Sequence, residues 1–239
     1  MGFDQNAQSN AGLGRVNEVL NSYWAHMAPH YYVPDIFGRR MLASYLVPLC
    51  PQSLIEVGCG SGELFSIFRD IPLVVGVDWQ EGMLKRSAER IARHEYKNIE
   101  LQKLDITQPL ILEMIHNGIA HTIHKKFDIA LTRTVLMHID PKDIDVAVRN
   151  MTLLSDRVLA FEFYNPQCEE KLEFHNWHHE YPALFAKQGY KVVDAYQRPD
   201  GVPQVLFNFV RQPNATKKDR SAVGLSNSAG KTGVSQTRS

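Results

Sequence analysis

The sequence predicts an α/β fold: a doubly wound, mostly parallel seven-stranded sheet covered by helices on both faces, with an antiparallel hairpin at its C-terminal end. Three observations predict it. Between residues 53 and 163, short apolar runs rich in Val, Ile and Leu alternate with segments whose apolar residues recur at helical spacing. The first run, Leu54-Ile55-Glu56-Val57, leads straight into the alternate glycines Gly58, Gly60 and Gly62. The last two runs, 190–196 and 205–210, are joined by Pro-Asp-Gly-Val-Pro, too short for a crossover helix, so they pair antiparallel.

In chain order, the first dozen residues are polar and poor in apolar side chains, which predicts disorder over 1–12. Helical periodicity over 16–27 and again over 34–47 (Ile36, Phe37, Met41, Leu42, Tyr45, Leu46) predicts an N-terminal helical unit, 13–50, with Pro34 placed to start the second helix and Pro48 to stop it. The core, 51–212, reads as strand 53–57, helix 63–69, strand 73–77, helix 82–94, strand 99–104 and helix 109–121. It continues as strand 127–132, helix 141–154 and strand 157–163, followed by the hairpin. The remainder, 213–239, has Val223, Leu225 and Val234 as its apolar residues and carries Lys217, Lys218, Arg220, Lys231 and Arg238, which predicts a solvated basic tail.

Composition narrows the function classes. Lys plus Arg and Asp plus Glu both number 26, so no global basic field draws the chain to DNA or to an anionic membrane. No apolar run approaches bilayer-spanning length, and the N-terminal residues lack a secretory pattern. Cys50, Cys59 and Cys168 fit neither a disulfide framework nor a zinc spacing. The expected location is cytoplasmic.

The chemistry begins at the glycine turn. Three glycines remove each Cβ where the backbone bends and where a ligand would lie on bare main chain. About twenty residues on, Leu73-Val74-Val75-Gly76-Val77-Asp78 ends in an acid, the separation at which a carboxylate accepts hydrogen bonds from ribose hydroxyls. The pair points to an adenosine. The turn is E-x-G-x-G-x-G, and Glu63 stands where a dinucleotide fingerprint needs its third glycine. Together with Asp105 in Leu101-Gln102-Lys103-Leu104-Asp105-Ile106, these elements resemble the class I S-adenosylmethionine-dependent methyltransferases over residues 50 to 212.

That resemblance implies a Rossmann-like domain, S-adenosylmethionine as cofactor and S-adenosylhomocysteine as product. It implies that Glu56, Gly58, Cys59, Gly60 and Gly62 lie along the methionine part, that Asp78 holds the ribose, and that Asp105 and Ile106 meet the adenine. It also makes the N-terminal helices a lid, or simply a cover for the sheet. Cys59 reads as a small packing residue rather than a nucleophile. Trp79 either lies along the adenine or covers the sheet edge.

After the fourth core strand comes Thr132-Arg133-Thr134-Val135-Leu136-Met137-His138. Thr132 is assigned to the cofactor, Arg133 to an acidic group of the substrate, and His138 either to general-base duty or to supporting a helix start. The segment Phe174-His175-Asn176-Trp177-His178-His179-Glu180-Tyr181 concentrates imidazoles and aromatics. His175, His178 and His179 are candidate bases, and Tyr31, Tyr164 and Trp177 candidate substrate contacts; helix-start packing and a divalent metal are the rival readings. The spacing matches no H-E-x-x-H or Cys/His zinc pattern, so no metal is assigned.

The place after the fourth strand lacks the Asn/Asp-Pro-Pro-aromatic motif of amino-methylating nucleic-acid enzymes, and the paired-glutamate loop of protein arginine methyltransferases is absent. A usual Leu-Lys-Pro-Gly-Gly turn is replaced by Leu153-Leu154-Ser155-Asp156-Arg157, which leaves the subfamily open. The expected reaction is in-line methyl transfer to an oxygen or nitrogen of a small molecule. The alternatives are protein or RNA methylation, or a non-catalytic partner subunit that binds the cofactor. Oligomeric state is not legible.

Overall fold

The computed structural model describes residues 35–110, 113–116, 119–122, 126–166 and 176–213. The expected helix over 16–27, Tyr31, His175 and the basic tail from 214 lie outside them. The described strands are β1 (Ser53–Val57), β2 (Leu73–Asp78), β3 (Ile99–Lys103), β4 (Glu113–His116), β5 (Ile119–Thr122), β6 (Ile129–Arg133), β7 (Arg157–Phe163), β8 (Tyr190–Gln197) and β9 (Gln204–Arg211). The helices are α1 (Ile36–Leu46), α2 (Glu81–His94), α3 (Ile144–Leu154) and α4 (Tyr181–Lys187).

Seven strands form one sheet in the order β3-β2-β1-β6-β7-β9-β8. β3, β2, β1, β6 and β7 run parallel, while β9 runs against both β7 and β8. The chain works outward from β1 to β3, then returns to lay β6 on the other side of β1. Ligands bind beyond the carboxyl ends of the strands at such a switch in order. The row Val77, Val57, Thr132 and Ala160 crosses the sheet in register just below that edge.

Alternation along each strand supplies two apolar faces. Leu54, Val74, Ile129, Leu131, Leu159 and Phe161 pack with Leu42 and Leu46 of α1 and with Phe65 and Phe68. Ile55, Val57, Val75, Ala130, Val158 and Ala160 pack on the other face against Ala147, Val148 and Met151 of α3 and Leu184 and Phe185 of α4. Both faces are thus sealed, which leaves the carboxyl edge for ligands. α1 starts on Asp35, whose Oδ1 accepts the Gly38 N–H at 2.9 Å.

Two expected helices are corrected. Residues 63–69 hold only a 3-10 turn, Phe65–Ile67. Side chains three apart eclipse in a 3-10 helix, which lets Phe65 and Phe68 both bury completely before Pro72 opens β2. Within 109–121 the chain instead forms β4 and β5, an antiparallel pair with His116 opposite Ile119. The dipeptide between them in sequence, Asn117-Gly118, is a strong hairpin signal, and it outranks an apolar count at helical spacing.

Candidate functional site

The glycine turn leaves β1 with three positive φ angles: 71° at Gly58, 54° at Gly60 and 75° at Gly62. Their roles differ. A Cβ on Gly58 would sit 2.3 Å from Val135 Cγ2, and one on Gly62 2.5 Å from Phe65 Cε2. Those two glycines are required by protein packing. A Cβ on Gly60 would meet nothing within 4 Å, so Gly60 presents bare backbone to open space at the carboxyl edge. The turn is held from α2: Ser87 Oγ donates to Gly60 O at 2.8 Å, Arg90 Nε donates to Ser61 O at 2.9 Å, and Arg90 pairs with Glu63. Cys59 is buried, its sulfur lies where a Cβ on Gly76 would come within 3.1 Å, and burial pushes its thiol well up, as befits a packing residue.

Asp78 ends β2 at 7 % exposure. Its Oδ2 accepts the Gly60 N–H and its Oδ1 the Gln80 N–H, both at 2.9 Å, so one carboxylate fixes the turn and the start of α2. Burial raises its pKa, and hydrogen bonds from Gln80, Gly60 and Trp79 oppose the shift. A carboxylate has about four acceptor sites, so capacity remains for hydroxyl donors. Trp79 follows half-buried. Asp105 lies two residues past Lys103, the register partner of Asp78, and its Oδ1 accepts from Thr107 N at 2.9 Å and Thr107 Oγ1 at 2.7 Å. The next residue, Ile106, is buried.

Asn150 on α3, which the sequence reading did not single out, anchors this loop: its Nδ2 donates to Ile106 O at 2.7 Å and Gln108 O at 2.8 Å. Asn150→Ala is expected to lower unfolding stability by about 1–3 kcal/mol in urea titrations, because two carbonyls lose their donor at a buried site.

Glu56 is 3 % exposed, and its Oε2 has no hydrogen-bond partner among the described residues. Burial drives its carboxyl well up, Asp78 and Glu63 add to the rise, and the Arg133 charge works against it. An acidic group so placed favours a cationic ligand atom.

The chain beyond β6 is bent and strained. Thr134 has φ 52°, uncommon for a residue with a branched side chain, and its N–H donates to Phe161 O at 3.0 Å. Glu162 on β7, absent from the sequence candidates, holds this bend. Its carboxylate accepts from Thr132 Oγ1 at 3.0 Å and from the Val135 N–H at 3.1 Å, with the Leu136 and Met137 amides also favouring its charge. Complete burial nevertheless pushes its pKa up to about 7. Thr132 therefore directs its hydroxyl to Glu162. An acid between two aromatics at a strand end, Phe161-Glu162-Phe163, was the available signal. Arg133 turns to the opposite face and pairs with Asp35, which also accepts from Arg198 at 2.8 Å.

The histidine segment docks along this bend. The Trp177 N–H donates to Met137 O at 2.8 Å, which sets the segment beside the 3-10 turn Leu136–His138. His178 stacks on Tyr164 at 5.6 Å, and its Nε2 accepts the Asn165 N–H at 3.3 Å. The Tyr164 hydroxyl donates to Glu180 Oε2 at 3.0 Å. His179 is buried, its Nε2 donates to Ile139 O at 3.0 Å, and burial lowers its pKa. The structure thus gathers His138, Tyr164, Trp177 and His178 at one end of β6 and β7. Glu56, Gly60, Asp78 and Asp105 line the ends of β1 to β3.

A family model for a methyltransferase domain matches residues 52–192. The chain belongs to the methyltransferase domain family. Its Rossmann-like methyltransferase fold recurs in solved structures at low identity. Magnesium protoporphyrin IX methyltransferase (ChlM) from Synechocystis PCC 6803 with bound S-adenosylhomocysteine superposes with TM-score 0.57 at 15 % identity, covering 73 % of this chain and 82 % of that one. DhpI, in a complex with S-adenosylmethionine and HEP, gives 0.62 at 13 %, covering 82 % and 97 %. The S-adenosylmethionine-dependent methyltransferase SibL gives 0.57 at 17 %, covering 72 % and 54 %. No curated protein sequence matches the chain. Among the described residues, no helix of this methyltransferase is long and apolar enough to cross a membrane.

Proposed function

We propose that this methyltransferase moves a methyl group from S-adenosylmethionine to an oxygen or nitrogen of a small-molecule acceptor in the cytoplasm. The observation that carries the donor assignment is Gly60: bare backbone facing open space, tied to the β2 acid through a 2.9 Å hydrogen bond. The residues present fit the donor. Glu56 has a buried oxygen without a partner for an ammonium, Asp78 keeps acceptor capacity for ribose hydroxyls, and Asp105 stands one strand over for the adenine amino group.

The donor, when bound, supplies a methyl group already electrophilic on a sulfonium. The chain's own residues then need to align the acceptor and exclude water, which contributes about 7–11 kcal/mol in favourable cases. Glu162 fixes the bend that carries Thr132 to His138, and the stacked pair Tyr164 and His178 lies beside it. A small acceptor is favoured over nucleic acid by balanced charge and by Thr132-Arg133-Thr134 in place of an Asn/Asp-Pro-Pro motif.

A methyl-transfer screen with labelled donor over small acids, phenols, amines, peptides and RNA tests the acceptor class. Labelling confined to RNA or peptides would overturn the small-molecule reading, and no labelling beside intact donor binding would favour a non-catalytic partner.

The histidines separate by their contacts. His178→Ala is expected to lower turnover by about 10²–10⁴ if His178 is the base, with S-adenosylhomocysteine affinity unchanged. Unchanged turnover would remove that role. His179→Ala instead is expected to cost about 2–3 kcal/mol of unfolding stability in urea titrations, since it strips the Ile139 carbonyl of its donor and leaves a gap beside Tyr181.

A further inference from the structure

The hydrogen bonds of the histidine segment decide which ring nitrogen of His178 carries a proton. Its Nε2 accepts the Asn165 N–H at 3.3 Å, so the lone pair there is engaged and the neutral ring holds its proton on Nδ1. The half-buried ring lies against Tyr164, 5.6 Å between centroids and 25° between planes, and the bond from the Trp177 N–H to Met137 O sets the segment beside the bend after β6. His178 therefore offers the acceptor side an N–H donor. A ring so tied has no lone pair left with which to take a proton.

The groups around it are committed to the fold. His179 Nε2 donates to Ile139 O, the Tyr164 hydroxyl donates to Glu180, and the buried Glu162 carboxylate accepts from Thr132 and the Val135 N–H. Glu180 itself is exposed, so solvent screens its charge. An acceptor that arrives already ionised suits such a site, because it needs a donor to hold it and no base to activate it.

We propose that His178 holds the methyl acceptor through its Nδ1–H and that the acceptor it selects is a carboxylate. This rests on the methyl-transfer reading above and narrows its acceptor from an oxygen or nitrogen to an acid. A carboxylate has two oxygens, so Nδ1–H holds one while the other attacks the methyl carbon. The C–O bond forms as the S–C bond breaks, the electron pair leaving on sulfur, so carboxylate and sulfonium become a methyl ester and the neutral thioether S-adenosylhomocysteine. No proton moves. A phenolate has a single oxygen, the same atom that the N–H would hold. Because the acceptor loses charge in this step, the donor serves binding more than turnover.

The full chain with labelled S-adenosylmethionine tests this on matched sets of acid, alcohol and amine built on phenyl, indolyl and straight-chain alkyl skeletons. The acids are expected to be labelled at least about tenfold faster than their matched partners, the effect of a charge-assisted hydrogen bond. On the best-labelled acid, two variants separate the ring nitrogens. His178→Gln keeps an oxygen where Nε2 accepts from Asn165 but lacks the Nδ1–H, and is expected to raise KM about 10- to 100-fold with kcat within about threefold. His178→Asn puts an amide N–H where Nδ1–H stands, and is expected to hold KM within about fivefold of wild type. KM unchanged in His178→Gln, or raised as much in His178→Asn, would leave His178 as a brace for Asn165 and overturn the proposal. A fall in kcat of about 10²–10⁴ in both variants would make it a base and overturn the proposal equally. So would faster labelling of alcohols or amines, with His138 then the candidate base, or no labelling of any set beside intact S-adenosylhomocysteine binding. Absence of S-adenosylhomocysteine binding in calorimetry would instead sink the donor assignment on which the proposal stands.

Discussion

Asp78→Ala is expected to weaken S-adenosylhomocysteine binding by at least about 100-fold, the loss that follows when a buried, charge-assisted acceptor is removed from hydroxyl donors. The effect has two physical parts. The ribose loses its acceptor, and the Gly60 and Gln80 N–H groups, each 2.9 Å from the carboxylate, lose theirs. The second part loosens the turn itself, so unfolding stability is expected to fall by about 2–4 kcal/mol as well. Asp78→Asn separates the parts: one amide oxygen can still serve one N–H, while the amide nitrogen opposes the other. The expected result is a milder loss of stability with most of the binding loss retained. Affinity within about threefold of wild type in a folded Asp78→Ala protein would contradict the ribose role.

The second large effect is a pH dependence seated at Glu162. Its carboxyl stands at about 7 in the folded protein against an ordinary 4.5, because complete burial outweighs the donors from Thr132 and the Val135 to Met137 amides. Between those values the folded state holds a proton that the unfolded state has released. Folding stability from this group is therefore fully present below about 4.5 and is lost as pH rises through about 7, on the order of 3 kcal/mol across the window. Glu162→Gln removes that slope. The predicted observation is that the wild-type minus variant stability difference, from urea titrations, falls by this order between pH 4.5 and 8; a flat difference would contradict it. Tyr181 faces the same carboxylate from α4, buried and with its hydroxyl unpartnered among the described residues, and burial holds its phenol well above the ordinary value, so it stays neutral throughout. Ionised Glu162 also grips the bend at the candidate acceptor side most firmly, so the conditions that order the site are those that cost stability. Strain and a buried charge in one place are what a positioned site tolerates.

The parts of this fold legible in the sequence were those where local chemistry and tertiary demand agree. β7 was read to the residue because positions 158–162 form a continuous buried run, and the glycine turn because alternate glycines after an apolar strand mark a backbone bending through positive φ. Residues 63–69 misled because Phe65 and Phe68 satisfy helical spacing and 3-10 eclipsing alike. Residues 109–121 misled because apolar periodicity outweighed a two-residue turn signal. At the site, Asp78 is singled out by its spacing after the turn and Asp105 by the family resemblance, and the structure puts Asp78 at the end of β2 with Asp105 just past the end of β3. Glu162 and Asn150 were not, since their importance lies in partners 27 to 44 residues away that only the folded sheet brings near. His179 illustrates the converse: a residue type that invites a chemical role is spent on a buried carbonyl.

The claim beneath all of this is that the carboxyl edge of β1, β2 and β3 is a donor-nucleoside site. Calorimetric titration of the full chain with S-adenosylhomocysteine tests it most directly. The account predicts one site per chain with a dissociation constant in the low micromolar range or tighter, about −8 kcal/mol or better, weakened at least about 100-fold by Asp78→Ala. An absence of heat at several hundred micromolar ligand, with the protein folded, would contradict it.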